Sequence, residues 1–212
     1  MTLVIAAVFS ISAQGQGFLN LNFESAQNLP ASPPKPNGDS VPVTNALPGW
    51  AAYGSGEPYS DINYVSSYFS GYSTEVELEG GSLALSGEFS VGLVDGGSIS
   101  QTGLVPADAE SLQFEASLPA INLSVTLGGQ SLSYSILSQG TGYAVYGANI
   151  PAALDGQTEA LTFGVNGLAG QSLLDNIEFS TSSVPEPAEW AMVGVGALLL
   201  GFWRRRKRER FG

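Results

Sequence analysis

Apolar and polar residues alternate along most of this chain. Residues 112–117, 122–127 and 131–136 each place apolar side chains at every second position. Such alternation buries one face of a strand and leaves the other in water, as in antiparallel sheets. Comparable segments predict further strands at residues 18–24, 50–53, 62–65, 74–79, 89–94, 98–104, 142–148, 160–165 and 174–179.

Glycine-containing turns separate these strands. Residues 95–97, 128–129 and 155–156 have the composition of tight turns, and helical pattern is limited to short stretches at 106–110 and 151–154. Many short strands with regular turns predict an all-β fold, an antiparallel β-sandwich or jelly roll. We assign this domain to residues 14–183. Residues 26–49 contain six of the 12 prolines and are expected to form a long loop.

Composition narrows the chemistry of the chain. Its 212 residues include no His and no Cys, so imidazole bases, thiolate nucleophiles and disulfides are excluded, and we expect no enzyme. The formal net charge is −12, yet six of the seven bases lie within residues 204–210. Residues 14–183 carry 16 acids and a single lysine, Lys35. A body this acidic is repelled by phosphate backbones, so nucleic acid is not an expected partner.

The amino terminus has features of an export signal. Residues 3–11 are apolar and residues 12–17 are small or polar, which predicts a signal peptide over residues 1–13. The signal is atypical because no Lys or Arg precedes the apolar stretch. The alternative is a buried first strand.

The carboxyl terminus predicts a membrane anchor. Residues 190–203 form an uncharged run of 14 between Trp190 and Trp203, followed by Arg204, Arg205 and Arg206. Tryptophans suit the membrane interface, and the basic residues mark the cytoplasmic side, so the preceding domain would lie outside. Fourteen residues form a short span compared with the usual ~20. The alternative is a core helix.

The residues before this helix make the signal more specific. Val184, Pro185, Glu186 and Pro187, then an apolar helix and a basic tail over 204–210, resemble the PEP-CTERM sorting signal of bacteria that make exopolysaccharide. The resemblance covers Val184 to Arg210, and the sorting signal is assigned to residues 184–212. It implies recognition at the inner membrane by the sorting enzyme exosortase, removal of the tail, and delivery to the cell surface or extracellular matrix.

The domain itself resembles the galactose-binding-like jelly rolls. Residues 19–24, 47–50, 99–104 and 174–179 carry the resemblance in order. It implies a structural Ca²⁺ shared by Glu24 and Asp175 with backbone carbonyls, a hard-oxygen ligand set that suits calcium. The alternative is two solvated carboxylates. A thermal melt unchanged by excess chelator would contradict the calcium site.

Two further groups of residues leave functional alternatives open. Glu75, Glu77 and Glu79 are expected on one strand face that is solvated or cation-bound, although a β-sandwich glycoside hydrolase would use two such acids across a cleft. A carbohydrate-binding module for exopolysaccharide would use exposed rings. The candidates crowd one region, in which Trp50 is expected in the core, and they are Tyr53, Tyr59, Tyr64, Tyr68 and Tyr72. A surface protein with a structural or adhesive role needs neither group.

Overall fold

The computed structural model describes residues 16–31, 38–65, 74–120, 122–167 and 170–185, and this part of the chain is all-β as predicted. One short helix, α1 (Val43–Ala46), and two 3₁₀ turns at Gly81–Leu83 and Ala152–Leu154 accompany the strands. The strands are β1 (Asp39–Pro42), β2 (Ala51–Gly54), β3 (Glu57–Pro58), β4 (Asp61–Val65), β5 (Val76–Gly80), β6 (Phe89–Leu93), β7 (Gly97–Leu104), β8 (Ser111–Ser117), β9 (Leu123–Leu127), β10 (Gln130–Ser131), β11 (Tyr134–Gln139), β12 (Tyr143–Asn149), β13 (Thr158–Val165) and β14 (Ser172–Ser180).

The strands form two sheets. The large sheet has the order β1-β4-β5-β6-β14-β8-β12-β11, and the small sheet has the order β10-β9-β13-β7-β2-β3. Neighbours are antiparallel, except that β4 and β5 run parallel. The last strand, β14, therefore lies in the middle of the large sheet, between β6 and β8.

One hydrophobic core joins the two sheets, as expected for a β-sandwich. Phe114 of β8 and Phe163 of β13 meet edge to face across it, with ring centroids 5.3 Å apart. Trp50 is 5% exposed, which confirms it as a core residue. The apolar positions of the alternating strands supply most of the remaining core, so the period-2 pattern and the packing agree.

Three local predictions were wrong. Residues 18–24 form turns instead of a strand, with positive φ at Asn20 and Phe23, and only Gly17 bridges to Leu104. The proline-rich loop is shorter than expected because β1 and α1 fall within residues 26–49. The run at 131–136 divides between β10 and β11.

The two predicted targeting segments lie outside the described residues. Residues 1–15 and 186–212 contain the whole of the proposed signal peptide and nearly all of the proposed sorting signal, including the helix expected at 190–203. Within the described ranges, no helix has the length and apolar character needed to cross a bilayer.

Candidate functional site

The outer face of the large sheet carries a row of acids. Strand register places Glu79 of β5 beside Ser90 of β6, and Asp175 of β14 beside Glu115 of β8. The hydroxyl of Ser90 donates to Asp175 Oδ2 at 2.8 Å, which joins the two halves of the row. Side chains opposite each other on neighbouring strands are about 5 Å apart, so four strands bring three carboxyl groups into one line.

Asp175 is buried among hydrogen-bond donors. Besides Ser90, the backbone N–H of Ser86 donates to Oδ2 at 3.2 Å and the N–H of Asn176 donates to Oδ1 at 2.7 Å. Burial raises the pKa of Asp175 to about 6, and the negative charge of Glu115 adds to this rise, whereas the three hydrogen bonds oppose it. The effect of burial on the pKa is therefore larger than the opposing effect of the three hydrogen bonds.

Glu24 approaches the same turn from the other side. Its Oε1 accepts the N–H groups of Glu88 at 2.8 Å and Phe89 at 3.1 Å. Glu24 and Asp175 thus both bind residues 86–90. N–H and O–H donors occupy three of the four oxygens of these two carboxyl groups. Among the described residues, no group of three or more acids is arranged to hold a metal ion. Calcium at Glu24 and Asp175 stays a prediction.

The prediction of a solvated strand face for Glu75, Glu77 and Glu79 is wrong for Glu77 and Glu79. Glu77 and Glu79 of β5 are each only 1% exposed. Gln171 Nε2 donates to Glu79 Oε1 at 2.7 Å and lies 3.4 Å from Glu77 Oε2. Glu75 precedes the strand, is half-buried, and accepts the hydroxyl of Tyr59.

The environment of Glu79 favours its neutral form. Burial raises its pKa, while hydrogen bonds with Gln171 and Glu77 act in the opposite direction. Its Oε2 is buried and has no hydrogen-bond partner among the described residues. Two neighbouring carboxyl groups removed from water cannot both ionise cheaply, so protonation of Glu79 stabilises the fold.

An open groove lies beside Asp175, where β14 bulges. The register between β14 and β8 shifts after Asp175, and Asn176 adopts a left-handed backbone with φ of 41°. The bulge separates the two strands locally and leaves a groove of about 540 Å³. Its lining includes Glu115 and Glu178.

Three of the five candidate sugar-binding tyrosines lie in the described residues, and they differ in burial. Tyr64 is 8% exposed and packs edge-on against Phe89 in the core. Tyr59 is half-buried against Glu75, and Tyr53 is half-buried on β2 of the small sheet. Tyr68 and Tyr72 lie outside the described residues. At least Tyr64 is therefore unavailable for stacking on a sugar.

The first residues of the predicted sorting motif are attached to the sandwich. The N–H of Val184 donates to Asn149 Oδ1 at 2.6 Å, and Asn149 Nδ2 donates back to the carbonyl of Val184 at 3.0 Å. Val184 is buried against Gly147, while Pro185 is exposed. Glu186, Pro187, Trp190, Trp203 and Arg204 to Arg206 lie outside the described residues.

Comparison with known proteins gives no relative. No protein-family model, no curated protein and no solved structure matches this chain.

Sequence patterns did not identify several residues that surround Asp175 and Glu79 on the outer face of the large sheet. Gln171, Ser90 and Glu115 occur in unremarkable positions, and only strand order brings them to Asp175 and Glu79. The one usable signal was alternation, which placed Glu115 on the polar face of its strand. It could not show which strand would lie alongside.

We expect the Asp175→Asn variant to lose part of the pH dependence of folding. The folded pKa of Asp175 is raised from 3.8 to about 6, so its contribution to stability is present below about pH 4 and is lost as pH rises to about 6. Urea denaturation at several pH values measures this. The free-energy advantage of the wild type over the variant should shrink from about pH 4.5 to about pH 7.5. An advantage that is constant or grows with pH would contradict the burial of a raised-pKa carboxyl group.

Removing the amide of Gln171 should destabilise the buried glutamates. In Gln171→Ala, Glu79 Oε1 loses its 2.7 Å donor, and we expect a loss of about 1–3 kcal/mol in the free energy of unfolding at neutral pH. Gln157→Ala is the matched control, because Gln157 is exposed and its side chain makes only a 3.5 Å contact. Equal effects of the two substitutions would show that the Gln171 amide does not support the pair.

Proposed function

We propose that this protein is an exported cell-surface or extracellular-matrix protein with a structural or adhesive, non-catalytic role. In this proposal the sandwich lies outside the inner membrane. The PEP-CTERM signal at residues 184–212 holds it there until exosortase processes the tail. The observation that carries the proposal is the order of residues 184–212: the Pro-Glu-Pro stretch, the apolar run and the basic cluster.

The end of the folded domain supports this arrangement. Val184 is the last buried residue of the described chain, and Asn149 binds both its N–H and its carbonyl group. The exposed Pro185 then begins the Pro-Glu-Pro stretch. Prolines disfavour helix and keep a chain extended, which suits recognition by a processing enzyme beside a folded domain.

The position of β14 also suits a domain attached by its carboxyl end. β14 is hydrogen-bonded to β6 on one side and β8 on the other, and residue 185 follows five residues after it. Tension on the tail would therefore act on a central strand and be shared by the whole large sheet. An edge strand would detach at lower cost because it is bonded on one side only.

The finer assignment of the fold belongs to the same proposal. We infer a galactose-binding-like jelly roll, and with it a structural Ca²⁺ near Glu24 and Asp175. The supporting observation is that both carboxylates reach residues 86–90 from separate segments. A bound cation there would supply charge compensation and no chemistry.

The hydrolase alternative gains no support from the acids of β5. A glycosidase needs two carboxyl groups that face a substrate across a cleft. Glu77 and Glu79 are 1% exposed and are hydrogen-bonded to Gln171. We therefore propose no catalytic role for them.

Sorting is tested by intact mass on protein recovered from the native envelope. We expect the wild type to lack the residues that follow the Pro-Glu-Pro stretch. The Glu186→Ala variant should keep them, whereas Glu110→Ala, which changes an exposed acid on the sandwich, should be processed like the wild type. A wild-type protein with an intact carboxyl terminus would contradict the proposal and leave the tail as a plain anchor.

A further inference from the structure

The groove at the β14 bulge has the size and walls of a ligand site. Its volume of about 540 Å³ falls within the range of small-molecule pockets. β8 and β12 form one side, and residues 21–22 with the bulge form the other. The N–H of Ile177 donates to the carbonyl of Leu21 at 2.9 Å, which fixes residues 21–22 at the rim. The groove is therefore framed by backbone hydrogen bonds.

The lining mixes three kinds of side chain. Glu115 and Glu178 supply negative charge, and the amides of Asn22, Gln113 and Asn176 can both donate and accept hydrogen bonds. Apolar contact comes from Leu21, Val145 and Ile177. Amides beside apolar patches suit a polyhydroxylated ring, whose hydroxyl groups need partners and whose C–H faces do not.

Charge selects among such ligands. The described residues contain 16 carboxyl side chains and no Lys, Arg or His, so no cationic side chain among them faces the groove. Glu115 Oε2 is buried with no hydrogen-bond partner among the described residues. Glu115 also lies directly opposite the buried Asp175. No cation among the described residues compensates the charge of Glu115, which lines the groove, so a positive group on a ligand in the groove would be attracted to it, whereas an acidic sugar would be repelled.

We propose that this groove binds a positively charged amino sugar, such as a de-N-acetylated hexosamine unit of a polysaccharide. The ammonium group pairs with Glu115 and Glu178, and the ring hydroxyls pair with the amides of Asn22, Gln113 and Asn176. The site belongs to the sandwich and not to the tail. Its failure would therefore leave the sorting proposal standing, and a failure of sorting would leave the site standing.

The test is isothermal titration calorimetry on the full chain in non-ionic detergent. The measurement is made at about pH 6, where the amino groups of the sugar probe are charged. The probe is a hexamer of glucosamine, and the matched control ligand is a hexamer of N-acetylglucosamine, which has the same rings without the charges. We expect the glucosamine hexamer to bind, and the acetylated hexamer to bind at least about tenfold more weakly. No binding of the glucosamine hexamer, or equal binding of both, would overturn the proposal.

Three variants locate the binding. Glu115→Gln and Glu178→Gln should each weaken it by about fivefold, as expected for one charged pair. Glu57→Gln is the control, because Glu57 is exposed on β3 of the other sheet and loses the same charge. Glu178 is exposed, so we expect Glu178→Gln to fold normally, and this variant can test the site even if Glu115→Gln does not fold. If Glu57→Gln lost as much affinity for the glucosamine hexamer, the binding would be due to the overall negative charge of the protein, and the proposed site would be wrong. The same holds if spermine, added at equal positive charge, displaced the hexamer completely.

Discussion

The described part of the structure depends on accommodating negative charge with no cationic side chain among its own residues. The described residues include 16 carboxyl groups and no Lys, Arg or His, so these residues cannot form an ion pair with one another. Buried carboxylates must instead accept hydrogen bonds from N–H and O–H groups or hold a proton. Glu24 follows the first course with the N–H groups of Glu88 and Phe89. Asp175 and Glu79 combine both, since each accepts hydrogen bonds and each has a raised pKa.

Because β14 lies in the middle of the large sheet, it connects the buried carboxyl groups with the features on which the proposals rest. The strand contributes Asp175 to the acidic row and bulges at Asn176, beside the groove. It then leads to Val184, the last buried residue of the described chain, which is hydrogen-bonded to Asn149. Beside the bulge, the N–H of Ile177 donates to the carbonyl of Leu21, in a segment that forms turns instead of the predicted first strand. One strand thus relates the interior charges, the proposed sugar site and the proposed attachment to the membrane.

Prediction from sequence succeeded where one face of a strand was simply apolar. The alternation at residues 112–117 and 122–127 predicted β8 and β9 because every second side chain had to be buried. It failed where burial did not follow polarity. Glu77 and Glu79 alternate with Val76 and Leu78 in the manner of a solvated face, yet both are buried because Gln171 and neighbouring residues cover them. Residues 18–24 have strand-like alternation, but positive φ values at Asn20 and Phe23 turn the chain.

By itself, the sequence determined the all-β class, most strand positions, the acidic character and the exclusion of His and Cys chemistry, because these follow from composition and from local period-2 burial. It also supplied the sorting signal proposed for the tail. Only the tertiary structure decided which acids meet. Glu79, Ser90, Asp175 and Glu115 are separated by up to 96 positions in the chain, and strand order alone puts them in one row. Charge compensation and burial depend on neighbours across strands, which local patterns do not specify.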